Sequence, residues 1–201
     1  MGWHSGIVAA RAPWDAFAPA LHELAGIAGG DAIDLETAGR DTALGGEHAG
    51  RSYVLDPMML TSTSGDLVVA LARTLDTLVI GVGAETISGS SWLFVAERDR
   101  VLRVHWACAA ELAAELDDGD WHRELAMRDV DGYDVYAALE RGGFDLGAFL
   151  KSAPKRRLLE PEVPRARDGA IAAKIAAFCT AHDRPADRGH PPVIVVRRDP
   201  S

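Results

Sequence analysis

The chain has 201 residues, with 30 acidic against 21 basic side chains and a formal net charge of −9. Apolar residues make up 48% and charged ones 25%, a globular composition far from the disordered signature, and two cysteines are too few for a disulfide scaffold. No apolar run approaches the ~20 residues that span a bilayer, and the opening Met-Gly-Trp-His-Ser-Gly lacks the basic start of a secretory signal, so a cytoplasmic, membrane-free protein is expected.

Trp3–Ala10 is short and apolar and reads as a first strand. Pro13 suits a first helical turn, with Trp14, Phe17, Leu21 and Leu24 at helical spacing and Gly26, Gly29 and Gly30 as stops. Residues 29–50 are rich in Gly, Asp and Thr and read as a long loop with one short strand; Arg51–Leu55 reads as a strand. Thr63 with Asp66 three residues on resembles a capping box opening a helix with Leu67, Val68, Leu71 and Leu75 on its apolar face. Three β-rich runs, Thr77–Val82, Ser91–Ala96 and Val101–Trp106, are joined by hairpin-length connections and predict an antiparallel meander.

Ala107–Leu116 is alanine-rich and predicts a helix, as do Gly132–Glu140 and the Phe144–Leu150 segment. Lys151–Arg167 carries three prolines and Lys155-Arg156-Arg157 and reads as a linker; Asp168–Ala181 reads as a helix and Val193–Val196 as a terminal strand. Strands and helices mix without regular alternation. The fold class expected is therefore α+β, one mostly antiparallel sheet with helices packed on it plus a C-terminal helix–strand extension. Residues 1–150 form the expected core domain and 151–201 a basic extension docked on it.

Charge divides along the same line. Residues 1–150 hold 24 Asp and Glu against 10 Arg and no Lys, a net −14, whereas residues 151–201 hold 11 Lys and Arg against 6 acids, a net +5. The densest acidic stretch, Glu111–Asp134, contains nine acids opposed only by Arg123 and Arg128, and it would repel nucleic acid. Trp121, His122 and Tyr133 lie within it, with Trp106 and Tyr136 close by, and aromatics among charges are the composition of a binding hot spot with a polar rim. Asp117, Asp118, Asp120, Trp121, Glu124, Asp129, Asp131 and Tyr133 are the candidate partner-binding residues for a basic protein. The competing reading makes this a solvated helix face and acidic loop, whose aromatics close the edge of the core.

Catalytic motifs are sparse. Gly81-Val82-Gly83 lacks both the third glycine and the following helix that a dinucleotide site needs, and reads as a hairpin turn. Asp129-Val130-Asp131-Gly132 places Met127 and Ala138 where a calcium loop needs acidic ligands. His105-x-x-Cys108 and Cys179-x-x-His182 supply the ligand set of a tetrahedral zinc site 70 residues apart; small buried cysteines are the commoner explanation. Arg51, Ser62-Thr63-Ser64 and either Glu97-Arg98-Asp99 or Glu160-Pro161-Glu162 follow the order of an ADP-ribosyltransferase, but neither acidic pair fits, one lacking its last glutamate and the other carrying a proline. Seven scattered histidines form no nucleophile–base–orienter set by spacing, so no catalytic residue and no cofactor is assigned.

The glycine-ended helix Trp14–Gly30, the run from Leu78-Val79-Ile80-Gly81 through Trp92-Leu93-Phe94-Val95 to Val101-Leu102-Arg103-Val104, and the late Phe144-Asp145-Leu146-Gly147-Ala148-Phe149-Leu150 together resemble the SUKH superfamily of bacterial proteins. Many of its members are immunity partners of toxins. The resemblance covers residues 14–150 in outline; the Gly-Asp loop, the acidic stretch and the basic extension depart from it. It implies a non-catalytic immunity protein whose acidic surface neutralises a basic partner such as a toxin. The alternative is a small enzyme or zinc protein using His105, Cys108, Cys179 and His182.

Overall fold

The computed structural model describes residues 4–39, 42–57, 61–62, 64–85, 90–107, 112–117, 135–152, 155–159, 177, 180–181 and 193–196. They form an α+β fold built on one ten-stranded sheet in which every pairing is antiparallel. In chain order the strands are β1 (His4–Ala10), β2 (Ala28–Ile33), β3 (Leu44–His48), β4 (Arg51–Asp56), β5 (Leu78–Glu85), β6 (Ser90–Glu97), β7 (Arg100–Ala107), β8 (Leu112–Asp117), β9 (Lys155–Leu159) and β10 (Val193–Val196). The helices are α1 (Trp14–Ala25), α2 (Gly65–Thr74), α3 (Val135–Arg141) and α4 (Leu146–Lys151). Across the sheet the order is β10-β8-β7-β6-β5-β1-β4-β3-β9-β2.

β1 lies near the middle, paired with β4 on one side and β5 on the other. Its run Ile7-Val8-Ala9-Ala10 is apolar at consecutive positions because both faces of the strand are covered. Val8 and Ala10 pack with Phe17 and Leu21 of α1 and Val68 and Leu71 of α2. Ile7 and Ala9 pack on the opposite face with Leu139 of α3 and Phe149 of α4. The result is three layers: helices, antiparallel sheet, helices.

The predicted meander is present as β5–β6–β7, and β8 extends it. The β3–β4 hairpin turns through Ala49 and Gly50, both at positive φ (51° and 69°), the combination that a two-residue turn matched to strand twist requires.

Several expectations are corrected. Ala107–Leu116 contains no helix in its described part: Leu112–Asp117 is β8, because the open side of β7 offers a ladder of hydrogen-bonding groups that outweighs alanine's helix propensity. The supposed loop over residues 29–50 holds two strands, β2 and β3. Part of the supposed linker Lys151–Arg167 is β9, inserted between β3 and β2. Gly81 and Gly83 sit inside β5 rather than in a turn; a Cβ at Gly81 would lie 2.7 Å from Val68 Cγ2, so the glycine lets α2 approach the sheet. The N-cap of α2 is Ser64, whose Oγ accepts from Leu67 N at 3.3 Å. Pro13 occupies the N-cap of α1 without a side-chain bond; the free Trp14 N–H is taken instead by Glu47 Oε2 of β3 at 2.7 Å. The expected helix Asp168–Ala181 lies largely outside the described residues, though Ala177, Thr180 and Ala181 are helical. No helix among the described residues is long and apolar enough to cross a membrane.

Candidate functional site

The acidic stretch leaves the sheet at β8. The β7–β8 register sets Asp117 opposite Arg103 and Glu115 opposite His105. Arg103 and His105 are buried, at 1% and 6% exposure, and share register with Val95 and Leu93 of β6. Of the predicted partner-binding residues, only the backbone of Asp117 is described; Asp118, Asp120, Trp121, Glu124, Asp129, Asp131 and Tyr133 lie outside the described residues. In α3, Ala138 and Leu139 are fully buried. Of the zinc candidates, His105 is on β7, while Cys108, Cys179 and His182 lie outside the described residues. Among the described residues no three His, Cys, Asp or Glu converge on a common point.

The ADP-ribosyltransferase constellation separates in space. Arg51 opens β4, whereas Ser62 lies against Gly6, the register partner of Asp56 at the far end of that strand, about 17 Å away along the strand. What the Thr61-Ser62 pair serves is Asp56. The carboxylate Oδ2 of this fully buried residue accepts from Thr61 N at 2.6 Å, Thr61 Oγ1 at 2.7 Å and Ser62 N at 3.0 Å. Asp56 thereby holds the turn that feeds α2. Asp56-Pro57 was the available signal, since a short acidic side chain before proline favours such local bonding.

A second polar cluster lies at the other end of β4. Tyr53 is fully buried, stacked on Phe149 at a 4.5 Å centroid distance and edge-on to Phe144 at 5.9 Å. Its hydroxyl accepts from Asp145 N at 3.1 Å, and burial pushes its acidity to a higher pKa. Arg11 Nε donates to Gly142 O at 3.0 Å, at the C-terminus of α3, where a guanidinium complements the helix dipole. Sequence reasoning missed this cluster, because its members are spread from residue 11 to residue 145 and carry no motif.

Lys155 is also buried, at 2% exposure. Its Nζ donates to Ser152 O at 2.8 Å and Ser152 Oγ at 3.2 Å and sits 4.7 Å from the Phe149 ring centroid. Burial lowers its pKa from the ordinary value of 10.5. A lowered folded value gives a stability contribution that is present above 10.5 and lost as pH falls through the folded pKa. Relative to Lys155→Met, the wild type is therefore expected to gain stability as pH is raised from neutral towards 10.5. Urea unfolding of both proteins across that range checks this, and a difference independent of pH contradicts it.

No protein-family profile, no curated protein and no solved structure matches this chain.

Proposed function

We propose that the protein is a non-catalytic binding protein of the bacterial immunity type, acting in the cytoplasm, whose acidic, aromatic-bearing segment Asp117–Asp134 covers a basic cleft on a partner protein such as a toxin. The observation that carries this reading is the charge partition: nine of the acids in a chain of net −9 fall between Glu111 and Asp134, with two arginines to offset them and Trp121 and Tyr133 among them. Support comes also from the flanks of the segment. β8 extends the meander and α3 is packed into the core, so both ends of the segment are tethered to a rigid scaffold. Preorganised ends reduce the ordering cost of association.

In this reading Asp117, Asp118, Asp120 and Glu124 provide charge complementarity, Asp129 and Asp131 extend it, and Trp121 with Tyr133 provides the buried anchor. The experiment uses the full chain as bait, identifies the partner, and measures its affinity for two variants. Trp121→Ala is expected to weaken binding by about 2 kcal/mol or more, the range of an interface hot spot. The combined Asp117→Asn, Asp118→Asn, Asp120→Asn variant is expected to bind more weakly, chiefly through slower association. A partner whose affinity is the same for both variants and wild type would overturn the assignment.

A further inference from the structure

Two arginines from different strands meet beside the turn that follows α3. Arg11 comes directly after β1, Arg51 opens β4, and Gly143 turns the chain at φ +78°. A Cβ placed at Gly143 would have as neighbours Arg11 Nη2 at 3.7 Å and Arg51 Nη2 at 3.8 Å. Both guanidinium groups thus border one small volume, which the glycine leaves open.

Their own bonding leaves most of their donors unused. Arg11 is positioned by its Nε bond to Gly142 O, and its backbone N–H donates to Leu78 O at 3.0 Å. Arg51 has one long contact, Nη1 to Ala49 O at 3.4 Å, and its Nε is buried with no acceptor. Among the described residues neither arginine forms an ion pair, although residues 1–150 contain 24 acids to 10 arginines. Two like charges held together beside an exposed turn repel each other, and the buried Arg51 Nε–H without an acceptor is costly. An oxyanion removes both penalties. The planar fork of arginine matches its oxygens, and a doubly charged group neutralises both side chains where a carboxylate neutralises one.

We infer that Arg11 and Arg51, with the open Gly143 corner between them, form an oxyanion site that takes a phosphate group, either as inorganic phosphate or as the phosphate of an ester. The site is independent of the acidic segment and of its proposed partner. A chain of net charge −9 repels anions in general, so saturable phosphate binding reports a local site.

The test is calorimetric titration of the full chain at constant ionic strength with inorganic phosphate, glucose 6-phosphate and acetate. Phosphate or the ester is expected to bind saturably and more tightly than acetate, and the tighter of the two identifies the source. Arg11→Gln and Arg51→Gln are each expected to weaken binding by roughly tenfold or more, the loss of one charge-assisted contact. Arg51→Lys keeps the charge without the fork and is expected to fall between. Should Arg51→Gln fail to fold, Arg11→Gln, on an exposed side chain, and Arg51→Lys decide the matter. Absence of saturable phosphate binding, equal binding of phosphate and acetate, or affinity unchanged in the folded variants overturns the site.

Discussion

Replacing Gly6 by valine is expected to be the most damaging single change in the described part of the chain. Gly6 is held between Asp56 of β4 and Gly83 of β5, so β1 cannot shift sideways to make room. A Cβ at Gly6 would overlap Ser62 Oγ, stand 2.7 Å from Ser62 Cβ and 3.1 Å from the Asp56 carbonyl oxygen. Ser62 is itself fully buried, with its backbone N–H committed to Asp56. Gly6→Ala is expected to cost about 1–3 kcal/mol, the usual range for overpacking a closed site, and Gly6→Val more. Gly29→Ala is the control: nothing lies within 4 Å of its Cβ position, and its unfolding midpoint in urea is expected to move little. Equal midpoints for Gly6→Val and wild type contradict the packing described for this end of β1.

Asp56→Ala carries the second large expected effect. The carboxylate is fully buried and takes three hydrogen bonds from Thr61 and Ser62, both of which are buried. Truncation leaves those donors without an acceptor, at a penalty of about 1–3 kcal/mol for each one that water cannot reach. Loss of the Thr61–Ser62 turn also releases the entry to α2, whose Val68 and Leu71 are fully buried against the sheet. A loss of about 3 kcal/mol or more is expected in urea unfolding. Asp56→Asn, which keeps one acceptor oxygen, is expected to fall between alanine and wild type. Indistinguishable Asn and Ala variants contradict a hydrogen-bonding role for this side chain.

Particular elements explain which parts of the fold were legible in the sequence. α1 and α2 announce themselves by helical spacing and, for α2, by a serine-rich start that includes its Ser64 cap. β5, β6 and β7 do so by β-branched and aromatic runs separated by short polar connections. Leu-Ala-Ala-Glu-Leu of β8 has good helix propensity and predicts a helix; its strand state comes from the ladders with β7 and β10, which local composition does not encode. β2 and β9 escaped for a related reason. Ala-Gly-Gly-Asp-Ala-Ile and Lys-Arg-Arg-Leu-Leu have little strand pattern, and they pair with each other across more than a hundred residues, with a register shift between Gly29 and Ala32. The start of α1 was legible to within a residue, whereas the Glu47 carboxylate that takes its first free N–H comes from β3 and left no local signal. Charge was legible directly, because it is a sum over residues. The meeting of Arg11, Arg51 and Gly143 depends on three elements and left no trace in spacing.

The proposed recruitment of a basic partner by the acidic segment is electrostatic. It is tested most directly by the association rate of the full chain with that partner as ionic strength is raised, measured for wild type and for the combined Asp117→Asn, Asp118→Asn, Asp120→Asn variant. Screening acts over about 10 Å at 0.1 M salt, so the wild-type rate is expected to fall steeply and the variant rate to start lower and fall less. Identical rates with identical salt dependence in the two proteins would contradict electrostatic recruitment by Asp117, Asp118 and Asp120.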